Sequence, residues 1–326
     1  MLNHELIDEK KLSSLEAATG WLNSPPLKAL DLKGKVIVIN FCTYSCINWI
    51  RTLPYMRAWS EKYKEHGLVV IGIHTPEFEF EKNEKNIKQA LKAFNISYPV
   101  AIDNNYDIWN AFNNQYWPAL YFVDAKGNIR HHYFGEGNYE QSEQVIQQLL
   151  AQATGKKIDQ ALSAAQGQGI EVAADWANLK SPENYLGYER TLNFRSGSVK
   201  RNILKTYAAP KSLQLNQWAL SGDWTMKPKL IELNKKVGRI VYRFHSRDLN
   251  MVMGPGIAGN VVRFRILIDG ELTGAAHGVD VDAEGYGTVT EQRLYQLVRQ
   301  TGRVVERQFE IIFLDPAVEA FSFTFG

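Results

Sequence analysis

Cysteine is almost absent: the 326 residues include two, Cys42 and Cys46. One bridge cannot staple a chain of this size, so a disulfide scaffold is excluded and the close spacing of the pair becomes the feature to explain. Charge of one sign is lacking as well. The 37 Lys and Arg residues are balanced by 35 Asp and Glu, leaving a net charge of +2, too little for the basic footprint a phosphate backbone demands, so no nucleic-acid partner is expected. Long apolar runs are missing too. Residues 36–39, 68–71 and 119–123 fall far short of the roughly 20 that a membrane-spanning helix needs, and no membrane span is expected. Residues 1–24 mix Asp8, Glu9, Lys10, Lys11 and Glu16 with scattered apolar positions and hold no apolar core of the signal-peptide kind, so the expectation from the residues is a cytoplasmic protein. What the chain does have is apolar mass. At 45% hydrophobic and 12% aromatic content it can fill two domain cores, which excludes a disordered or fibrous protein.

From residue 27 to about residue 155, strand-like and helix-like segments alternate, the pattern of βα units around a largely parallel sheet. Residues 36–41 (VIVINF) read as a strand buried on both faces. A helix is predicted over 47–65 from the spacing of Ile50, Leu53, Met56, Trp59 and Tyr63, with a kink at Pro54 and an end at Gly67. Residues 68–73 (LVVIGI) read as a second buried strand, 83–94 as a helix and 98–102 as a short strand. Residues 119–123 and 129–134 form a predicted hairpin, and 140–152 a closing helix. The next stretch is rich in Ala, Gln and Gly, with Gly155, Gly167 and Gly169 interrupting any helix, which suits a linker. Beyond it the period becomes two, in RIVYRFH (239–245), VVRFRILID (261–269), 307–314 and AFSFTF (320–325), the mark of a β-sandwich or jelly roll. The expected organisation is an α/β domain over 1–154, a linker over 155–180 and an all-β domain over 181–326.

The segment NFCTYSCINW, residues 40–49, lies where a buried strand hands over to a helix, so Cys46 falls at the helix N-terminus. Orphan N–H groups and the positive end of the helix dipole favour a thiolate there. A buried structural thiol is the other reading of the same residue.

That segment, together with VVIGIHTPEFEFEKN (69–83), YPVAIDNNYDIWNAFNNQYWPALYFVDAKGNIRH (98–131) and FGEGNYEQSEQVIQQLL (134–150), resembles the thioredoxin-fold part of the DipZ group within the TlpA-like redoxins. The likeness continues through SPENYLGYER, LNQWALSGDWT, YRFHSRDLNMVMGP, VRFRILIDG, GAAHGVDVD, RLYQLVRQ and the terminal FTFG. The resemblance implies a thioredoxin-like fold joined to a β-sandwich similar to a carbohydrate-binding module, and thiol-disulfide oxidoreductase chemistry with Cys46 as nucleophile. Its partners would be protein thiols and disulfides. No cofactor is implied. Related domains are often extracytoplasmic, which sets a periplasmic location against the cytoplasmic one.

The departures from that family pattern matter equally. The resolving cysteine should stand at position 49, where the chain has Trp49, and indole cannot attack a mixed disulfide. Cys42 is either a substitute resolver or a packed core thiol. On a regular helix, residues four apart hold their Cβ atoms about 5–6 Å apart whereas a disulfide wants about 3.5–4.5 Å, so only an irregular turn would bridge the two. Asn40 stands where thioredoxin carries a buried Asp, leaving His74 and Glu77, at the same sheet edge, as candidate activating groups. Trp117-Pro118 matches the thioredoxin cis-proline, and Trp49, Trp117 and Tyr44 would line the site with aromatic rings. Thr43 is either a turn residue or part of a TxxC core resembling that of peroxiredoxins, although the Pro of their fuller signature is replaced by Ile39. That reading gives a one-cysteine peroxidase acting on peroxide through a sulfenic acid. A third reading is a redox-inactive binding module.

In the second body, Asp280, Asp282, Glu284, Gly285 and Glu291 approach the spacing of a calcium loop, but an acidic hairpin turn explains the same residues. Trp218, Trp224, Tyr185, Tyr188, Tyr286 and Tyr295 either stack on sugar rings or fill the core, so a carbohydrate or protein ligand of the sandwich stays open.

Overall fold

A computed structural model describes residues 11–158 and 161–326. The chain divides into two compact units, the first ending at Val172 and the second being Ala173–Gly326. The first is built on a six-stranded sheet in the order β1-β4-β3-β2-β5-β6. Its strands are β1 (Gly20–Leu22), β2 (Val36–Cys42), β3 (Leu68–His74), β4 (Val100–Ile102), β5 (Ala119–Val123) and β6 (Ile129–Phe134). The central pair, β2 and β3, is parallel, with Cys42 opposite His74 at its end. Every residue of β2 is buried, Asn40 among them, as a mostly apolar strand covered on both faces requires. Ile37, Ile39, Phe41, Ile71, Ile73 and Tyr121 share one core with Trp109 and Phe112.

The helix predicted over 47–65 is two helices, α1 (Ile47–Ile50) and α2 (Leu53–Tyr63). Pro54 therefore kinks nothing. It sits in the first turn of α2, where its missing N–H would have had no intrahelical acceptor, and the Thr52 hydroxyl closes α1 by donating to the Trp49 carbonyl at 2.7 Å. Gly67, at φ +95°, adopts the left-handed conformation that ends the turn before β3. The helix α3 (Glu84–Ala93) is capped by the Asn83 side chain, which accepts from the Lys85 N–H. A short α4 (Asp107–Ala111) precedes β5, and α5 (Tyr139–Thr154) closes the unit.

The division after Val172 falls inside the segment read as a linker, because that segment is tied to the first unit. Glu143 of α5 accepts from the Ser163 N–H and hydroxyl, both at 2.8 Å, and from Trp59 Nε1 at 3.0 Å, Tyr63 Oη at 2.7 Å and Lys62 Nζ at 2.8 Å. Glu171 takes both terminal nitrogens of Arg57 at 2.8 and 2.7 Å.

The second unit is a β-sandwich. After the short β7 (Asn184–Tyr185) and β8 (Leu204–Tyr207) come β9 (Trp218–Met226), β10 (Ile231–Leu233), β11 (Gly238–Phe244), β12 (Asp248–Pro255) and β13 (Val262–Ile268). β14 (Tyr286–Val289), β15 (Arg293–Arg299), β16 (Arg307–Phe313) and β17 (Val318–Phe325) complete it. The strands run β14-β13-β16-β11-β9-β10-β17-β12-β15. β13 is fully buried at every second residue, as a half-solvated sheet requires. Trp218, Trp224, Tyr242, Phe264, Tyr295, Phe309 and Phe323 fill the space between the faces, so three of the rings weighed as sugar platforms, Trp218, Trp224 and Tyr295, belong to the core.

Replacing Glu143 leaves several buried donors without an acceptor, a loss of about 3 kcal/mol. Glu143→Ala should lower the urea midpoint accordingly and speed proteolytic cleavage within residues 161–172; an unchanged midpoint and digestion pattern would contradict the strap.

Candidate active site

Cys46 is the N-cap of α1, in extended backbone conformation at φ −81° and ψ 114°. Because α1 lasts a single turn, the dipole of a long helix is missing, and local N–H groups remain. The Cys46 carbonyl accepts from the Ile50 N–H at 3.0 Å, while the N–H groups of Ile47, Asn48 and Trp49 belong to the first turn, which has no acceptor inside the helix. The Cys46 sulfur is partly exposed and lies 3.8 Å from the carbonyl oxygen of Trp117.

That carbonyl is placed by a cis peptide bond between Trp117 and Pro118, as the resemblance implied. Three contacts hold the turn. The Trp117 indole N–H donates to the Thr75 carbonyl at 3.1 Å, the Trp117 and Trp109 ring centroids are 4.3 Å apart, and the Gly135 N–H donates to the Pro118 carbonyl at 2.9 Å. Thr75 in turn donates its N–H to the Cys42 carbonyl at 2.9 Å and its hydroxyl to Asp103 at 3.0 Å. Asp103 also accepts the Ile108 and Trp109 N–H groups at the start of α4. From the other side, Arg51, in the break between α1 and α2, forms a buried 3.0 Å ion pair with Glu136, the residue after Gly135.

Cys42 ends β2 at 2% exposure, its thiol donating to the Ile73 carbonyl at 3.4 Å. Burial, and secondarily the Glu81 carboxylate, push its pKa well up, so it stays protonated. No disulfide joins it to Cys46.

His74 is wholly buried, its ring stacked on Tyr44 at 5.7 Å. Burial lowers its pKa from 6.5 to about 3; a neutral imidazole offers no positive charge to a thiolate. Glu77 contributes its backbone N–H to Glu81. Thr43 is wholly buried, and its hydroxyl affects the Glu81 carboxylate without reaching hydrogen-bond geometry. Trp49 turns inward, 1% exposed and edge-on to Phe94 at 5.9 Å, so it takes no part in an aromatic wall. Tyr44 is buried as well. The rings that do face solvent beside the cis-proline are Tyr116 and Phe134, 51% and 40% exposed and 5.0 Å apart.

The calcium candidates form an acidic turn. Asp280 accepts from Arg293 at 2.7 Å and the Gln296 N–H at 2.8 Å, and Asp282 accepts from the Tyr286 N–H at 2.7 Å across Gly285, whose φ is +87°. Glu291 lies 3.9 Å from Arg293, and Arg265 donates to the backbone carbonyl of Glu284. Among the described residues no group of three or more His, Cys, Asp or Glu is arranged to hold a metal ion.

Asp103, Thr75 and Glu81 escaped the sequence reading. An Asp a few residues before a helix is a capping signal, but α4 has only five residues and shows no periodicity. Glu81 alternates with Phe78 and Phe80 in EFEFEK, residues 77–82, where nothing in the letters says which of three carboxylates is buried.

Residues 14–132 match the AhpC/TSA family and residues 181–326 match the family described as thioredoxin like C-terminal domain. These matches, with the strand order and a cysteine facing a cis-proline, define a redoxin with a thioredoxin-like fold followed by a β-sandwich. The chain is 39% identical over 253 residues to Protein DipZ of Mycobacterium bovis, which covers 76% of this chain and 36% of that protein. It is DipZ-like, and spans about a third of the length of that relative. Thiol-disulfide oxidoreductase YkuV of Bacillus subtilis is 26% identical over 141 residues, 43% of this chain and 95% of YkuV. The solution structure of a putative thioredoxin from Neisseria meningitidis is 23% identical and matches 43% of this chain and 90% of its own, with a TM-score of 0.39.

Between pH 6.5 and about 3 the unfolded chain binds a proton at His74 that the folded chain does not, so this residue's contribution is complete above pH 6.5 and is lost as pH falls through that window. Urea unfolding of wild type and His74→Phe should show the variant gaining about 2 kcal/mol relative to wild type between pH 7 and pH 4.5. Slopes from other groups are common to both proteins and cancel. A difference independent of pH would contradict a buried neutral imidazole.

Proposed function

We propose that this chain is a thiol-disulfide oxidoreductase that works through Cys46 alone. The observation carrying this is the contrast between the two sulfurs: Cys46 is partly exposed beside the cis-proline, while Cys42 is sealed and hydrogen-bonded to Ile73. The Cys46 thiolate attacks one sulfur of a substrate disulfide. A bond forms between them, the substrate's S–S bond breaks, and the departing thiolate takes a proton from solvent. Trp49 cannot attack the mixed disulfide and Cys42 is held protonated in the core, so a thiolate from a second molecule attacks the Cys46 sulfur, and the substrate leaves as its second thiolate and takes a proton. A further external thiolate attacks the outer sulfur of the resulting adduct, forming the external disulfide and releasing Cys46 as the thiolate. An extended polypeptide suits the site, because the Trp117 carbonyl lies beside the sulfur and Tyr116 and Phe134 offer exposed apolar surface next to the cis-proline. The names of the relatives that carry a thiol-disulfide activity support this reading. No helix of the described residues is long and apolar enough to cross a membrane, and the resemblance to the DipZ group favours an extracytoplasmic place of work, with the sandwich as a recognition or scaffolding domain.

The AhpC/TSA match favours a second reading, in which the same sulfur attacks a peroxide oxygen and becomes a sulfenic acid. That chemistry wants the Thr43 hydroxyl at the sulfur, and Thr43 is buried, so it ranks second.

With a small external thiol as reductant, Cys46→Ser should lose reduction of a protein disulfide by about a hundredfold or more, while Cys42→Ser stays within about threefold of wild type. Intact-mass spectrometry should show one substrate or thiol adduct per chain, on Cys46. Equal loss in both variants, or an internal Cys42–Cys46 bridge, would overturn the one-cysteine cycle; stoichiometric peroxide consumption without disulfide exchange would put the peroxidase reading in its place.

A further inference from the structure

Glu81 lies in the turn after β3, wholly buried. One carboxylate oxygen accepts the Glu77 and Phe78 N–H groups at 2.7 and 2.8 Å, which is the cap of its own short turn. The other reaches across to the cysteine loop and accepts the Ser45 hydroxyl at 2.6 Å and the Ser45 N–H at 3.3 Å. Capping explains the first oxygen. It does not explain the second, and a cap requires no buried charge, whose desolvation costs several kcal/mol. Ser45 is the residue before Cys46, inside a turn closed by the Cys46 N–H donating to the Thr43 carbonyl at 3.2 Å. That turn decides where the Cys46 sulfur points.

We propose that Glu81 is the positioning residue for Cys46: by holding both donors of Ser45, its carboxylate fixes the turn that directs the sulfur to the Trp117 carbonyl. The role rests on Cys46 being the nucleophile. Around the carboxylate stand Ser45 and Thr43 from the cysteine loop, Cys42 at the end of β2, Glu77 and Phe78 of its own loop, and Tyr106 ahead of α4. None of these is a cation, and burial moves the Glu81 titration above the usual carboxylate range. A protonated carboxyl gives up acceptor capacity that the four donors use, so the hold on Ser45 weakens as pH falls through that titration.

The test is the rate of iodoacetamide alkylation at Cys46, read by peptide mapping from pH 4 to pH 10. Wild type should show two inflections, one from the thiol and one from Glu81. In Glu81→Gln the lower inflection should vanish and the alkaline plateau fall about tenfold, as two charge-assisted bonds are lost; Glu81→Asp should restore the lower inflection. A merely structural role would leave the number of inflections unchanged. If Glu81→Gln does not fold, Ser45→Ala decides, with an expected plateau about threefold below wild type. Profiles identical to wild type overturn the role of Glu81 and leave the oxidoreductase reading intact; a wild-type Cys46 inert at every pH overturns both.

Discussion

The approach of the Cys46 sulfur to the Trp117 carbonyl, 3.8 Å across the cis-proline turn, is the contact on which the candidate site depends. Each partner is held from behind. Thr75 links the Cys42 carbonyl, the Trp117 indole and Asp103, and thereby joins the end of β2, the loop after β3 and the cis-proline turn in one network. Arg51 and Glu136 tie the break after α1 to the residues whose N–H meets the Pro118 carbonyl. A sulfur so placed is oriented by backbone and polar side chains: His74 is uncharged, and the Arg51 guanidinium is matched by a buried carboxylate.

The two cysteines differ by four positions and by everything that governs thiol chemistry. Solvent and the Trp117 carbonyl meet Cys46, whereas Cys42 is the last residue of a strand buried along its whole length. Desolvation favours the protonated form of a thiol, and only the thiolate attacks. Depth in the sheet therefore divides an accessible thiol from a core residue more sharply than spacing does.

The sequence made the long elements legible and the short ones not. β2, β3 and β5 are short, mostly apolar runs with few alternatives, and the period of two in the second unit is plain in β13 and β16. β1 and α4, of three and five residues, are below the length at which periodicity carries information. The apolar spacing over 47–65 is continuous and reads as one helix, and the break at Arg51–Thr52 comes just ahead of Pro54, whose missing N–H cannot bond the carbonyl four residues back. At the site, Cys46 and Trp117-Pro118 were readable from their place between elements and from the family resemblance. Trp49 was misplaced on the rim because substitution for a cysteine suggests the cysteine's position, yet a bulky ring finds more contact inward against Phe94. Glu81, Thr75 and Asp103 depend on contacts between loops distant in the chain, which is where local reading ends.

Differential labelling of the two thiols in the native protein tests the central claim most directly. With a small alkylating agent at neutral pH and peptide mapping of both sites, Cys46 should be modified in the folded protein and Cys42 only in step with global unfolding, as followed by added urea. Comparable labelling of Cys42 and Cys46 in the native state, or protection of Cys46 until unfolding, would contradict it.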